Sequence, residues 1–596
     1  MSSTVYLSSR IGSVPHFPRV SIWDFLFRQE TGYANPIDTN ADEDSVAYVD
    51  ASSGEVLTRA VFRTKVKRLA YAFKHRLGLH KGDTVLICSS NSLHFPAVVL
   101  AVQAAGLVCS PANALFTPHE LAYQVHDADA RLVVAGCDQV AVVAAAGASN
   151  IFLMEPAPKC GSGSADPAYR SIWDLTDKEE LEPEALTEEE AVNTIALLCY
   201  SSGTSGRPKG VKTTHYNITS ALLQTMLSSP SSFTSREVWL ATLPLSHMYA
   251  AFYHIYLAAH IGAKVVVLSK FSLDAFLDAI ERHRVTSGHI VPPIAVRLSK
   301  DVLARAYDLS SLREWRSAAA PAGGQLVDIL EERCGVTFHT LYAMTETTAV
   351  IAMTQQGERP PPGACGRLGP NVEAKIENGE LCLKGPNITL GYHNKHDADV
   401  EAFDNEGFMR TGDLVKVDDE GYIYVLDRVK EVIKFNGYQV PPAELEDLLL
   451  KHPDIHDAAV IGIQDEARAT EVPLACVVLR KPTQYHVKAL ELKRKEIVDF
   501  VAGQVAPFKQ LRGGVRFLNQ IPKSPAGKVL RRLLREEVRV ARAVQAQKAA
   551  ELKESEVQKL TAELVLAAVS EKERITQVEP QSTSPPPTWG SGCIVF

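Results

Sequence analysis

The 596-residue chain is 46% hydrophobic and 22% charged and carries a net charge of −8, the balance of an ordinary soluble globular protein with about three or four domain-sized units. No long Lys/Arg block precedes residue 528, so a nucleic-acid partner has no electrostatic support. The most apolar stretches, Phe95 to Cys109 and Ala250 to Ala263, are too short to span a bilayer, and no basic-then-apolar signal opens the chain. A cytoplasmic protein without a transmembrane segment is expected.

From Val56 to Leu268 helical patterns (Arg59–Leu77, Leu93–Ala105, Pro118–Asp127) alternate with β-branched runs (Thr84–Cys88, Leu107–Cys109, Arg131–Ala135). Such alternation, with continuously apolar strands, predicts an α/β fold of mostly parallel sheets covered by helices on both faces. The acidic segment Gly161–Glu190 reads as a surface excursion, and a second alternating block runs from Thr242 to about Ala349. After Gly363, turn signals at Glu377-Asn-Gly-Glu380, Asp404-Asn-Glu-Gly407 and Asp418-Asp-Glu-Gly421 predict antiparallel hairpins. A compact α+β unit follows, from about Val429 to Leu534. Lys528 to Glu579 lacks Gly and Pro and reads as a long helix, and Gln581–Pro587 as unstructured. The ten cysteines show no Cys-x-x-Cys and no clustering with His; most sit in apolar runs, so neither a disulfide framework nor a zinc site is expected.

The stretch richest in chemistry is Tyr200-Ser-Ser-Gly-Thr-Ser-Gly-Arg-Pro-Lys-Gly-Val-Lys212. Glycines let the main chain approach closely, and backbone N–H groups with hydroxyls can cradle phosphates. It is not a Walker A loop, because Lys209 is followed by Gly210 and the glycine spacing differs. A flexible Gly/Ser linker is the alternative, but it does not explain Arg-Pro-Lys held between two hydrophobic runs.

Five further segments follow in order: Leu243-Pro-Leu-Ser-His-Met-Tyr249, Leu341-Tyr-Ala-Met-Thr-Glu346, Arg410-Thr-Gly-Asp-Leu414, Asp427 to Gln439, and Pro522-Lys-Ser-Pro-Ala-Gly-Lys528. Together with the opening loop they closely resemble the signature motifs of the adenylate-forming superfamily of acyl- and aryl-CoA ligases, peptide-synthetase adenylation domains and beetle luciferases. The resemblance covers roughly residues 20 to 535. Pro441-Pro-Ala-Glu-Leu-Glu446 is most similar to the 4-coumarate:CoA ligase branch. The chemistry is consistent: a carboxylate must meet the α-phosphate of ATP, so cations, N–H donors and a hard-oxygen metal site are needed to offset repulsion.

The resemblance implies a large N-terminal domain (1–426) of mostly parallel sheets with a small β-barrel-like part. A small mobile domain (427–540) and a helical, then unstructured tail (541–596) would follow. It implies that Ser201, Ser202, Gly203, Thr204, Ser205, Gly206 and Lys209 close over the ATP phosphates, with Glu346 on Mg²⁺ and Thr345 near the α-phosphate. Asp413 and Arg428 would hold the ribose, Tyr342 would stack on adenine, and Ala320 and Ala343 would line the base. The family usually has Gly at the position of Ala343. Lys528 would bridge substrate carboxylate and α-phosphate, and Asp427 would be the pivot of a rotation that brings in Lys434 for thioester formation with coenzyme A. The family often has Lys or Arg where this chain has Asn436. His247 would lie near the substrate carboxylate.

The acid's tail would lie among Met248, Tyr249, Ser317, Ala318, Ala319, Ala320, Tyr342 and Met344 to Val350. No acid follows His247 over Met248–Ala251, which disfavours an amino-acid substrate and leaves an aryl, arylalkyl or medium-chain acid. The resemblance thus implies a monomeric acid–CoA ligase. A stand-alone adenylation enzyme loading a carrier protein, a luciferase-like monooxygenase and a catalytically decayed membrane-tethered scaffold are the competing readings. The terminal Cys593-Ile-Val-Phe596 fits a prenylation box or an inert hydrophobic tail; one lipid alone anchors weakly.

Overall fold

The β-branched runs fold as two mostly parallel sheets. The first has six strands in the order Ile151–Leu153, Ala130–Ala135, Thr84–Cys88, Val108–Ala112, Ile195–Ser201, Lys209–Thr214. All of its pairs are parallel except the last. The second has nine strands, with Val238–Ala241, Ser287–Ile290, Glu314–Ser317 and Thr337–Met344 side by side in its parallel centre. This computed structural model describes residues 5–9, 16–28, 43–156, 169–201, 208–229, 232–301, 306–318, 324–355, 358–429, 431–435, 438–465, 470–481, 487–523, 529–542 and a few helical residues between 547 and 567. It divides into two compact units, Met1–Leu530 and Arg531–Phe596.

One apolar core takes residues from both sheets and from the helices between them. Every residue of the helix Phe95–Ala104 is buried, as a helix apolar all round must be; its one polar member, Gln103, donates to Tyr256 Oη at 2.7 Å. The apolar run after Met248 is likewise a buried helix, widening to π-helical at Phe252–Leu257 and ended by Gly262. The predicted helix Arg59–Leu77 is α-helical to Tyr71 and then π-helical over Ala72–Arg76. The acidic excursion lies on this element's basic residues: Lys67–Glu182 at 2.7 Å, Lys74–Glu184 at 3.0 Å and Arg76–Glu179 at 3.0 Å.

The hairpins after Gly363 build a five-stranded antiparallel sheet, Glu373–Glu377, Glu380–Lys384, Met409–Val417 and Ile423–Arg428, joined at its edge by Val5–Ser8. The turn at Asn378-Gly379 has φ of 53° and 84°, the doubly left-handed conformation that Asn-Gly favours. Beyond it, Ile455–Asp465, Thr470–Leu479 and Gly514–Phe517 form a three-stranded sheet with the helices Pro442–Leu450 and Val487–Ala502. In the second unit residues 531–542 are helical; most of the expected long helix and the Cys593 box lie outside the described residues. Among the described residues no helix is long and apolar enough to cross a membrane.

Seven described cysteines are free thiols. Cys137 departs from that pattern, being disulfide-bonded. Its side chain is only half-buried, so it is reachable where the buried thiols are not.

Candidate active site

The phosphate-loop candidate is the turn of a hairpin. Ser201 and Lys209 pair across its base, which puts the cation at its foot. Ser202, Gly203, Thr204, Ser205 and Gly206 lie outside the described residues. Two aromatic hydroxyls fix the feet: Tyr200 Oη donates to Asp127 Oδ2 at 2.8 Å and Tyr123 Oη to the Pro208 carbonyl at 3.1 Å. Lys395 Nζ also meets Asp127, at 2.7 Å. Sequence reasoning missed Tyr123, Asp127 and Lys395; the helical pattern over 118–127 was visible, but not what its C-terminal end touches.

Glu346 enters from the nine-stranded sheet, on the turn between Thr337–Met344 and Ala349–Met353. Thr348 and Ala349 have φ of 52° and 80°, a conformation a β-branched residue holds only when its surroundings enforce it. They do: Asn387 Nδ2 donates to the Thr347 carbonyl at 2.9 Å, Thr348 Oγ1 to the Asn387 carbonyl at 2.8 Å, and Thr389 N–H to the Glu346 carbonyl at 2.9 Å. So braced, Glu346 is buried and its Oε1 accepts from Ser201 Oγ at 2.9 Å and from Tyr392 Oη at 3.1 Å. Neither bond takes up Oε2. One carboxylate among hydroxyls fits a hard cation that brings phosphate and water oxygens of its own; no group of three or more His, Cys, Asp or Glu able to hold a metal alone exists among the described residues. Thr345 lies half-buried beside Glu346 on the same turn.

The predicted ribose and adenine residues come together on the five-stranded sheet and its neighbour. Asp413 and Arg428 are cross-strand partners, with Arg428 Nε 2.7 Å from Asp413 Oδ1. The other oxygen, Oδ2, accepts from Tyr342 Oη at 2.7 Å. Burial raises the Tyr342 pKa, and the Asp413 carboxylate raises it further, so the phenol stays a donor. Burial opposes the charge on Arg428, but Asp413 together with Tyr342, Glu346 and Glu431 outweighs it and the pKa rises. The strand register shifts between Tyr342 and Ala343, a bulge of the kind that re-aims a side chain.

His247 caps the helix Met248–Ala251, its Nδ1 accepting from Tyr249 N–H at 3.2 Å. In the neutral ring the proton is then on Nε2. The side chain is open to solvent on one side, yet the protein packed around the rest disfavours the imidazolium and lowers its pKa. Met248, Tyr249 and Ala318 are buried; Ala319 and Ala320 lie outside the described residues. Tyr249 Oη donates to the Arg316 carbonyl at 2.9 Å and its ring meets those of Tyr253 and His289 edge-on. Arg316 is buried and pairs through Nε and Nη2 with Glu314 at 2.8 and 3.0 Å. Arg316 Nη1, both His289 ring nitrogens and Ser317 Oγ are buried with no hydrogen-bond partner among the described residues. Apart from Ser317, this polar layer behind Met248 and Tyr249 was not legible as a site.

At the expected pivot the Asp427 carboxylate accepts from Arg428 N–H at 2.7 Å and from Ala443 N–H at 3.0 Å, tying the end of the five-stranded sheet to the first turn of the helix Pro442–Leu450. Lys434 lies in the strand Ile433–Phe435, opposite Gln439. Lys528 lies outside the described residues.

The hairpin, the braced acid beside it and the Asp–Tyr–Arg cluster bring together the motifs that the sequence resemblance singled out. Comparisons with known proteins identify the class. Residues 38–393 match the AMP-binding enzyme family and residues 444–528 the AMP-binding enzyme C-terminal domain. The Peroxisomal OPC-8:0-CoA ligase 1 of Arabidopsis thaliana is 36% identical over 517 residues, 83% of this chain and 91% of the relative. The 4-coumarate–CoA ligase of Pinus taeda is 36% identical over 491 residues, 79% of this chain and 88% of the relative. Among solved structures, ATP-bound MatB from Rhodopseudomonas palustris superposes with a TM-score of 0.74 at 26% identity, covering 87% of this chain and 98% of that one. The o-succinylbenzoate CoA synthetase MenE of Bacillus subtilis, bound to its acyl-adenylate, gives 0.69 at 26% identity, covering 82% and 95%. The chain belongs to the AMP-binding enzyme family. Its activity is ATP-dependent, AMP-forming acid–CoA ligation.

Proposed function

We propose that the chain activates an aryl, arylalkyl or medium-chain carboxylic acid and passes it to coenzyme A, with the roles distributed as follows. The loop Ser201–Lys209 gathers the β- and γ-phosphates. Glu346 holds Mg²⁺, which supplies charge neutralisation on the triphosphate; Asp413 takes the ribose hydroxyls, braced by Tyr342 and Arg428. His247 offers Nε2–H to the substrate carboxylate, and Lys528 joins carboxylate and α-phosphate as the adenylate forms. Rotation about Asp427 then exchanges Lys528 for Lys434 and opens the adenylate to the thiol.

The observation that carries this reading is the convergence of Ser201 from one sheet and Glu346 from the other at 2.9 Å. Two distant motifs thus meet, an arrangement that supports binding of a metal–triphosphate there. The relatives act on 4-coumarate and OPC-8:0 by name, which supports an acid with an extended apolar body. The Arg316 charge is already matched by Glu314, so a second, distal carboxylate on the substrate would be buried without a counterion. We further assign a monomer in the cytoplasm.

The test is acid-dependent pyrophosphate release across a panel of aryl, arylalkyl, medium-chain and dicarboxylic acids, with and without coenzyme A. Release confined to monocarboxylic acids of one class and raised by coenzyme A supports the reading. A preference for dicarboxylic acids, or indifference to coenzyme A, overturns it; in the second case a carrier-protein acceptor takes its place.

A further inference from the structure

We propose that Tyr392 is a positioning residue that couples the phosphate loop to the metal carboxylate. The proposal rests on the roles assigned above to Glu346 and Lys209. Tyr392 makes two contacts at once: its hydroxyl donates to Glu346 Oε1 at 3.1 Å, and its ring lies under the Lys209 ammonium, with Nζ 4.8 Å from the centroid. One side chain therefore touches the candidate metal ligand and the candidate phosphate ligand. Neither contact belongs to the motifs that carry the family resemblance.

The backbone that presents Tyr392 is fixed independently of the site. Lys212 N–H donates to the Gly391 carbonyl at 2.9 Å and His393 N–H to the Gly210 carbonyl at 2.7 Å, so the segment runs beside the loop's own outgoing strand. Tyr392 N–H donates to Asp399 Oδ1 at 2.6 Å, and Lys212 Nζ holds the same carboxylate at 3.4 Å. Gly391 has φ of 106°, and a Cβ there would fall 2.4 Å from Asp399 Oδ1, so only glycine lets this acid reach in. The strand thus carries both Lys209 and the register that places the phenol over Glu346.

The two contacts act differently. A hydroxyl bonded to a ligating carboxylate fixes which oxygen faces the cation, and losing such a partner typically weakens metal binding about 10-fold or more. An aromatic face under an ammonium restricts where the cation sits and adds a modest attraction. Tyr392→Phe removes the first and keeps the second; Tyr392→Leu removes both. Ser201→Ala removes the other donor to Oε1 and leaves the ring in place.

The experiment is calorimetric titration of the full-length chain with ATP plus Mg²⁺ and with ATP in chelator, alongside pyrophosphate release as a function of Mg²⁺. For Tyr392→Phe we expect an approximately tenfold higher Mg²⁺ concentration at half-maximal rate, weaker MgATP binding, and unchanged binding of metal-free ATP. Tyr392→Leu should in addition weaken metal-free ATP by about threefold. A Phe variant with wild-type Mg²⁺ dependence and MgATP affinity overturns the proposal, as does equal loss of metal-free and metal-bound ATP. Failure of the broader reading looks different: wild-type protein would then bind no ATP and release no pyrophosphate at any Mg²⁺ concentration.

Discussion

The nucleotide end and the acyl end of this site are built to opposite rules. Around Asp413 both carboxylate oxygens are engaged, by Tyr342 and Arg428, and Glu346 is held by donors from two other segments. Behind Tyr249, by contrast, Arg316 Nη1, His289 and Ser317 Oγ are buried without hydrogen-bond partners among the described residues, although such groups are costly to leave unmatched. The proposed nucleotide end has its carboxylates already held by hydrogen bonds and an ion pair; the proposed acyl end stores polar groups that the family motifs do not specify. The difference separates what kind of reaction the chain performs from which acid it uses.

The comparison can be broken most forcefully at the nucleotide end. Lys528→Ala should lower the rate of adenylate formation about 10² to 10³-fold, the scale of removing a preorganised charge from a developing anion, with unchanged ATP binding; a stopped-flow pyrophosphate-release trace measures it. Asp413→Asn should raise the KM for ATP about 10- to 100-fold by weakening charge-assisted bonds, and should also lower the melting temperature because mostly buried Arg428 loses its counterion. An unchanged KM would remove Asp413 from the ribose site.

The closed side of the molecule should reveal itself through pH. Burial holds His215, His254 and His260 down to about 4 from an ordinary 6.5. Between those values the unfolded chain binds protons that the folded chain refuses. Their contribution to stability is therefore complete above pH 6.5 and is lost as pH falls towards 4, by up to about 3 kcal/mol per histidine. Urea midpoints at pH 7.0, 5.5 and 4.5 should fall steadily, and His254→Gln should flatten the slope. The smallest effect is expected at the base pocket, where Ala343→Gly should change the KM for ATP by less than about threefold, since one methyl group is involved.

Much of this was legible in the chain itself. Pro118–Asp127 and Thr84–Cys88 occupy the spans their patterns predicted, because a proline-led helix and a continuous apolar strand leave few alternatives. Tyr342, Asp413, Arg428, Ser201 and Glu346 converge because short motifs fix both chemistry and local backbone. Tyr392, Asp127 and Lys395 were not legible, since their importance lies in contacts far away in the chain: Asp127 meets Tyr200 73 residues on and Lys395 268 residues on. The edge strand Val5–Ser8 escaped for the same reason, its partner being Glu373–Glu377. His289 and Arg316 share a cross-strand pair, and nothing in the local sequence of either announces the other.

The most direct test of the account is a chase. Enzyme, ATP, Mg²⁺ and a radiolabelled acid that supports pyrophosphate release are mixed without coenzyme A, the bound species is identified, and coenzyme A is then added. The account predicts one enzyme-bound acyl-adenylate that disappears at the rate at which acyl-CoA and AMP appear. An adenylate that forms and is not consumed by coenzyme A, or a thioester that appears with no adenylate before it, would contradict it.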